Sequence, residues 1–507
     1  LLSLVSALVS GQSSQAQSEF SAGVTFTKIT TGDIVTIPAY YWAGSWGDYD
    51  DDGWLDVFVG ATVQSNPNYL YHNNRDGTFT RVADAAMPKS PSNQHGSAWG
   101  DYDNEGHLDL LVTSGNPEIG HNLLYRNNGD GTFSWTTDNA IYNDFYEVEP
   151  GSHGPSWGDY DNDGLIDLFI GGHDIHNPLF HNEGSGAFTR ITNHVLVDDP
   201  SHSEGRAWVD YDNDGDLDLF VSNASLTLRN ALYRNDGNGV FTKVTNSGLT
   251  DRVDNTNAPC WADYDNDGFS DLFLANADVN SLYRNDRDGT FTSIADSAVV
   301  KEQIPAAAFF GTCAWGDYDN DGFVDLLVSA NNFARTFERN FLYHNNGDRT
   351  FTKVTEGEIV TGPVSGQVSW VDYDNDGFLD PFLVPAGQFA SRLLTNHLFH
   401  NGGNTNAWLN VKLVGTVSNR SAIGAKVRVN AFHRGESRWQ LREISGGDSQ
   451  TNQQSLNAEF GLADATVVDT LRVEWPSGIV QELHDVAPRQ FLTITETLSI
   501  EIDIKPG

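Results

Sequence analysis

Apolar residues in this chain come in short runs, and each run stops at a turn. Ser156-Trp157-Gly158 gives way to the polar stretch Asp159-Tyr160-Asp161-Asn162-Asp163-Gly164, and Leu168-Phe169-Ile170 follows. Further on in each repeat, an aromatic-led run stops at an Asn/Asp-Gly turn and resumes, as in Tyr71-His72-Asn73-Asn74-Arg75-Asp76-Gly77-Thr78-Phe79. Variants run from Tyr125 to Phe133, Phe180 to Phe188, Tyr233 to Phe241, Tyr283 to Phe291 and Tyr343 to Phe351. Short β-branched and aromatic runs bounded by Asn, Asp and Gly predict strands joined by tight turns. No amphipathic helical period persists in this region. Each repeat therefore predicts four short antiparallel strands, and four-stranded units repeated radially describe a β-propeller blade.

The polar stretch between the first two strands is the most regular feature. It starts at Asp48, Asp101, Asp159, Asp210, Asp263, Asp317 and Asp372, each time two residues after a Trp (Trp46, Trp99, Trp157, Trp208, Trp261, Trp315, Trp370). Positions 1, 3, 5 and 9 carry carboxylates and position 6 a glycine. The sets are Asp48, Asp50, Asp52 and Asp56; Asp101, Asp103, Glu105 and Asp109; Asp159, Asp161, Asp163 and Asp167; Asp210, Asp212, Asp214 and Asp218. The last three are Asp263, Asp265, Asp267 and Asp271; Asp317, Asp319, Asp321 and Asp325; Asp372, Asp374, Asp376 and Asp380. Four hard oxygen donors packed this closely repel one another unless a cation lies between them. Ca²⁺ takes six to eight oxygens at about 2.3–2.6 Å in irregular geometry. The glycine permits the sharp turn, and position 7 is expected to lend its carbonyl. An EF-hand is excluded, because its loop is twelve residues long, ends in Glu and lies between helices. The pattern predicts about seven Ca²⁺ sites, one per repeat. Glu105 stands where the other loops have Asp, so loop two is expected to be the weakest.

The seventh repeat has the first hairpin strand, His397-Leu398-Phe399-His400-Asn401, but no Gly-Thr-Phe-Thr after it. The missing piece lies at the other end of the chain. Thr25-Phe26-Thr27-Lys28-Ile29-Thr30-Thr31-Gly32 matches Thr350-Phe351-Thr352-Lys353-Val354-Thr355-Glu356-Gly357. Residues 24–31 are therefore expected to form the outermost strand of the seventh blade, which would leave no blade with a bare edge.

These repeats resemble FG-GAP/VCBS repeats, which build integrin α-subunit propellers and many secreted bacterial proteins. The resemblance implies Ca²⁺ in the Asp loops, on one rim of the ring. Residues 405–495 lack the Asp loop. Ala407-Trp408-Leu409-Asn410-Val411, Ser418-Asn419-Arg420-Ser421-Ala422-Ile423-Gly424, Phe460-Gly461-Leu462 and Val473-Glu474-Trp475-Pro476 resemble the ASPIC/UnbV domain of bacterial proteins and of the cartilage acidic protein family. Its alternating Val, Leu and Ile predict a small β-rich domain. The expected organisation is all-β: an N-terminal extension or signal-peptide remnant over 1–23, a seven-bladed propeller with Ca²⁺-binding loops over 24–404, the β-rich domain over 405–495, and a strand or linker over 496–507.

Composition sharpens the picture. Asp and Glu number 69 against 29 Lys and Arg, a net charge of −40, and the presumed metal loops hold much of that excess. The remaining acidity argues against nucleic acid, which needs a basic face. Cys260 and Cys313 precede loops five and six by three and four residues. Offset by one residue on equivalent strands, they are expected on opposite faces, as two buried thiols rather than a bridge. Leu1 to Ser10 is too short to span a bilayer and resembles the tail of a signal peptide, with Ser14-Gln15-Ala16 as a cleavage site. Weak, numerous Ca²⁺ sites fit a secreted, extracellular location.

No G-x-S-x-G, H-E-x-x-H or phosphate loop occurs. His95 and His153 lie six residues ahead of their loops and Glu204 holds that place in repeat four, so they could ring a channel mouth, bind a metal or act on a glycan. The plainer reading is that they cap strand starts. His72, His181, His344 and His400 share one hairpin position with Arg126, Arg234 and Arg284, an interchange that reads as surface variation. The expected function is a non-catalytic adhesion or binding module for a protein or glycan ligand. The alternatives are a structural subunit that joins copies of itself by strand addition, through Leu1 to Ser10 or Ile500 to Ile504, and a polysaccharide-acting enzyme.

Overall fold

Where the apolar runs meet their Asn-Gly and Asp-Gly turns, the chain folds into short antiparallel strands. The computed structural model describes residues 24–497 apart from 62–67, 84–85, 88–93, 115–120, 136, 145–151, 200, 303, 305–307, 333–337, 363–365, 386–392, 448 and 452. The expected roles of Leu1 to Ser10 and Ile500 to Ile504 lie outside the described residues. The fold is all-β. Sheet one comprises Tyr41–Gly47, Asp56–Ala61, Tyr69–Asn73 and Phe79–Arg81, in that order. Five more sets of four repeat this order along the chain, and the third and fourth also join through a pairing of Asp167–Ile175 with Ser201–Val209. The seventh set takes Gln367–Val371, Asp380–Val384 and His397–Asn401 from the last repeat. Its outermost strand is Phe26–Lys28, with Phe26 opposite Asn401, Thr27 opposite His400 and Lys28 opposite Phe399.

The recurring Trp explains how neighbouring sheets pack. Each sheet's first strand packs against the next sheet's first strand, and Gln367–Val371 also touches Tyr41–Gly47. The Trp side chains turn towards the preceding sheet. Trp99 stacks on Tyr49, Trp315 meets Phe273 edge-on, and Trp46 meets Phe382 of the seventh sheet edge-on at 5.2 Å. The glycine after one Trp makes room for the next: a Cβ at Gly47 would stand 2.9 Å from the Trp99 ring. Trp46, Trp99, Trp157 and Trp370 are fully buried, and truncating such a side chain costs about 3–5 kcal/mol.

The same geometry corrects the reading of the cysteines. Cys260 and Cys313 form a disulfide, with Cα atoms 6.1 Å apart. Cys313 lies two residues before Trp315, on the face turned to sheet five; Cys260 lies one residue before Trp261, on the face turned to sheet six. Opposite faces of equivalent strands are the two faces that meet when sheets stack. The one-residue offset therefore brings the sulfurs together.

The C-terminal residues form two sheets. Ala458–Ala463, Ala407–Val414 and Gln490–Thr495 make one, the last two strands being parallel; Glu436–Glu443, Lys426–His433, Val468–Glu474 and Val480–Val486 make the other. Leu409, Val411, Val427, Val429, Leu471 and Val473 share one buried core. These sheets lie against the Asp loops, a contact with no signal in the repeat pattern. Lys412 Nζ is 2.8 Å from Asp48, Lys426 Nζ 2.7 Å from Asp210 and Arg434 3.0 Å from Asp321. From the stretch of chain that links the two sheets, Gly446, Ser449, Thr451 and Gln453 reach the first strands of the repeats. Trp46, Ser97, Trp157 and Arg206 donate their backbone N–H groups to the carbonyls of Gln453, Thr451, Gly446 and Ser449. Four open strand edges thereby gain partners, in line with the general rule that buried backbone polar groups are paired.

Candidate metal centre

Each Asp loop is built by its own carboxylates. The position-1 side chain accepts the N–H of positions 5 and 6, as in Asp159 with Asp163 (3.0 Å) and Gly164 (3.0 Å), and this holds in all seven loops. Position 9 accepts two N–H groups, from the Tyr at position 2 and from the hairpin Asn; Asp271 binds Tyr264 at 3.3 Å and Asn285 at 2.8 Å. Position 4 is left-handed throughout: Asp51, Asn104, Asn162, Asn213, Asn266, Asn320 and Asn375 have φ between 54° and 62°. Asn and Asp tolerate that region better than other side-chain-bearing residues. The recurring Asn-Asp-Gly was visible in the sequence, but its conformational role was missed.

The loops bind one another. Asn104 Nδ2 donates to Gly164 O (2.8 Å), Asn213 to Gly268 O (3.0 Å), Asn266 to Gly322 O (2.8 Å) and Asn320 to Gly377 O (2.8 Å). Asn375 donates to Gly53 O (2.9 Å), from the last loop to the first. A second series runs through the buried hairpin Asn. Asn127, Asn182, Asn235, Asn285, Asn345 and Asn401 each donate to the backbone carbonyl of the Tyr in the preceding repeat's loop, and Asn73 to that of Tyr373.

These bonds gather the expected ligands. Carboxylate oxygens of Asp48, Asp50 and Asp56 lie within 4.8 Å of one another, and groups drawn from loops three, six and seven do the same with a histidine. The fit to a cation is clearest at position 3. Asp161 Oδ1, Asp212 Oδ1, Asp265 Oδ1 and Asp374 Oδ1 are buried without a hydrogen-bond donor. A buried carboxylate oxygen left so is costly unless a charge partner compensates. Four equivalent ones, in loops whose other donors are all oxygens, suit a hard divalent ion.

Electrostatics agree. Burial, reinforced by neighbouring carboxylates and only partly offset by backbone N–H groups, pushes Asp56 and Asp109 up to about 9. Burial and Asp167 push Asp159 to about 8, and burial pushes Asp101 and Asp263 to about 7. Asp218, Asp271, Asp325 and Asp380 stand well above the usual carboxylate range, with burial the largest cause.

The hairpin His residues and Arg126 are not surface variation, because they reach the Asp loops. His181 Nδ1 is 3.1 Å from Asp167, His344 Nδ1 3.1 Å from Asp325, His400 Nδ1 3.0 Å from Asp374, and His72 Nδ1 3.3 Å from both Asp50 and Asp56. In loop two Arg126 takes this place, 2.8 Å from Asp103 and against Glu105. Arg234 and Arg284 turn away to Asp236 and Asp286. A nitrogen set against a carboxylate cluster is what these His residues share with Arg126.

The FG-GAP-like repeat family matches residues 48–112, 107–170, 159–221, 210–274, 263–328 and 330–382, and the ASPIC and UnbV family matches 415–500. Cartilage acidic protein 1 of Homo sapiens is 25% identical over 355 residues, 69% of this chain and 44% of that protein. Its Mus musculus counterpart is 26% identical over 340 residues, 66% of this chain and 43% of that one. The chain thus spans less than half the length of the curated relatives it matches. Among solved structures, the BP39L lectin of Burkholderia pseudomallei is similar with a TM-score of 0.46 at 10% identity, over 72% of this chain and 97% of that one. An Agrocybe aegerita lectin gives 0.44 at 18%, over 63% and 80%.

Proposed function

Because the chain belongs to the FG-GAP-like repeat family, we propose that it is a secreted, Ca²⁺-loaded, seven-bladed β-propeller that serves as a non-catalytic binding module. The observation that carries the metal reading is the set of buried position-3 Oδ1 atoms without donors, one in each of four loops. Ca²⁺ held by positions 1, 3, 5 and 9 neutralises carboxylates that burial otherwise drives towards the protonated form. The ring reading draws on the loop-to-loop amide bonds, which run from repeat seven to repeat one as they do between neighbours. The disulfide fits an oxidising compartment.

The C-terminal sheets occupy the loop face, so the partner is a protein or glycan that binds at the other end. There the connections between second and third strands expose Leu226 (83%) and Val279 (42%). Binding of the Ca²⁺-loaded protein to arrayed glycans and to extracellular-matrix proteins tests this. Leu226→Asp is expected to abolish the interaction without lowering the melting temperature. A partner that binds equally well to this variant, or sugar cleavage by the purified protein, contradicts the proposal.

A further inference from the structure

Three imidazoles and one carboxylate converge where the first strands of sheets two, three and four begin. His95 comes from Gln94–Gly100, His153 from Ser152–Gly158, and His202 and Glu204 from Ser201–Val209. His95, His153 and Glu204 each stand six residues ahead of the first Asp of their repeat, so adjacent sheets place them at one level. The rings of His95 and His153 have centroids 5.5 Å apart. His153 Nδ1 is 3.1 Å from Glu204 Oε2, and His202 Nε2 is 3.9 Å from Glu204 Oε1.

Two donors bound to a tetrahedral ion at about 2.0–2.1 Å stand roughly 3.3 Å apart. The His153–Glu204 separation is close to that value, and His202 faces the other oxygen of the same carboxylate at 3.9 Å. The donor set differs in kind from the Asp loops, since imidazole with one carboxylate suits Zn²⁺ and its neighbours whereas Ca²⁺ takes oxygens alone. The side chains of His153, Glu204 and His202 keep 10%, 14% and 21% of their exposure, which leaves a way in. Buried Arg206 directs donors to backbone carbonyls, those of Pro155, Gln450 and Glu204. Gln450 also donates its side-chain amide to Glu204 Oε2 at 2.7 Å, an outer contact that holds the carboxylate in place.

We infer that His95, His153, His202 and Glu204 form a site for one divalent ion of the Zn²⁺ class, separate from the Asp loops. Because Gln450 belongs to the segment that reaches in from the C-terminal sheets, the ion would also fix that segment through Glu204.

The test uses the full chain in millimolar Ca²⁺, which keeps the Asp loops filled. Zn²⁺ retained after gel filtration is counted, and Co²⁺ serves as a visible-absorption probe of coordination. The expected result is one Zn²⁺ per chain and intense Co²⁺ bands of four-coordinate character. Both are expected to weaken about 100-fold or more in His153→Ala and Glu204→Gln. His202→Ala, at a side chain more exposed than His153 or Glu204, gives the same readout should the buried variants misfold. Retention of no Zn²⁺, or retention that persists in all three variants, or loss of Zn²⁺ in His181→Ala instead, overturns the inference.

Discussion

Asn375 donates its side-chain amide to the backbone carbonyl of Gly53, 322 residues earlier, at 2.9 Å. Asn73 returns a bond of the second series, to Tyr373 O at 2.7 Å. The first and last repeats are thus held by the same two bonds that hold neighbours. Phe26–Lys28 adds a strand to the last sheet, and the Phe26 ring lies 6.1 Å from Trp370. Removing residues 1–31 is therefore expected to cost at least about 3 kcal/mol and to open the seventh repeat to protease. Removing 1–16 alone is expected to change neither. Superimposable melting curves for the two truncations would contradict closure by this strand.

Cys260 and Cys313 close a loop of 53 residues. In the chain-entropy treatment such a crosslink stabilises by about 4 kcal/mol. Cys260→Ala with Cys313→Ala is expected to lower the denaturation midpoint, and reductant is expected to affect the parent protein but not the double variant. Equal midpoints with and without reductant for the parent would show that the bridge contributes nothing.

Lys426 is 5% exposed and its ammonium reaches Asp210, itself 6% exposed. Breaking a buried pair by removing one partner costs about 3–5 kcal/mol. Lys426→Met is expected to fall in that range in metal-free protein, and to be milder in millimolar Ca²⁺, where the ion supplies positive charge to the same loop. Denaturant melts in both conditions check this; an equal cost in each would separate Lys426 from the metal.

Acid and metal should act in opposition. Asp101 and Asp263 stand at about 7, Asp159 at about 8 and Asp56 and Asp109 at about 9, against 3.8 for an ordinary Asp. Groups raised in the folded state hold protons that the unfolded chain has released. The stability they confer is complete below pH 3.8 and is lost as pH rises through 7 to 9. His181, His344 and His400, raised to about 9 by Asp167, Asp325 and Asp380 against the pull of burial, act with the same sign. Metal-free protein should therefore melt lower at about pH 8.5 than at about pH 6. Ca²⁺ should flatten that slope, and its affinity should weaken as pH falls. A melting temperature that rises with pH in the absence of metal contradicts this.

Much of the fold is legible in the sequence because it repeats. Trp46 and its six counterparts mark the first strand of every sheet, and the match of Phe26 to Phe351 points to the strand that completes the last one. The Asp sets are legible because a carboxylate recurs at positions 1, 3, 5 and 9 of every loop. Cys260 and Cys313 were misread because face parity was judged within one sheet, whereas the bridge spans two stacked sheets. His181 and His344 were misread because a position that accepts both His and Arg looks unconstrained, although both supply positive charge to the neighbouring loop. The reach of Lys412 and Lys426 onto Asp48 and Asp210, and of Gln453 onto Trp46, leaves no periodic trace. Such contacts depend on how two differently patterned regions dock.

The central claim, that the Asp loops hold Ca²⁺, is tested most directly by metal content and melting temperature of one preparation, before and after chelation and after Ca²⁺ is restored. An ion at 100 times its dissociation constant stabilises the native state by about 2.7 kcal/mol per site. The account predicts about seven Ca²⁺ per chain, a marked fall in melting temperature on removal and full recovery on return, with one ion fewer in Asp161→Ala. A chain that contains no Ca²⁺ at millimolar concentration, or whose melting curve is unmoved by verified removal, would contradict it.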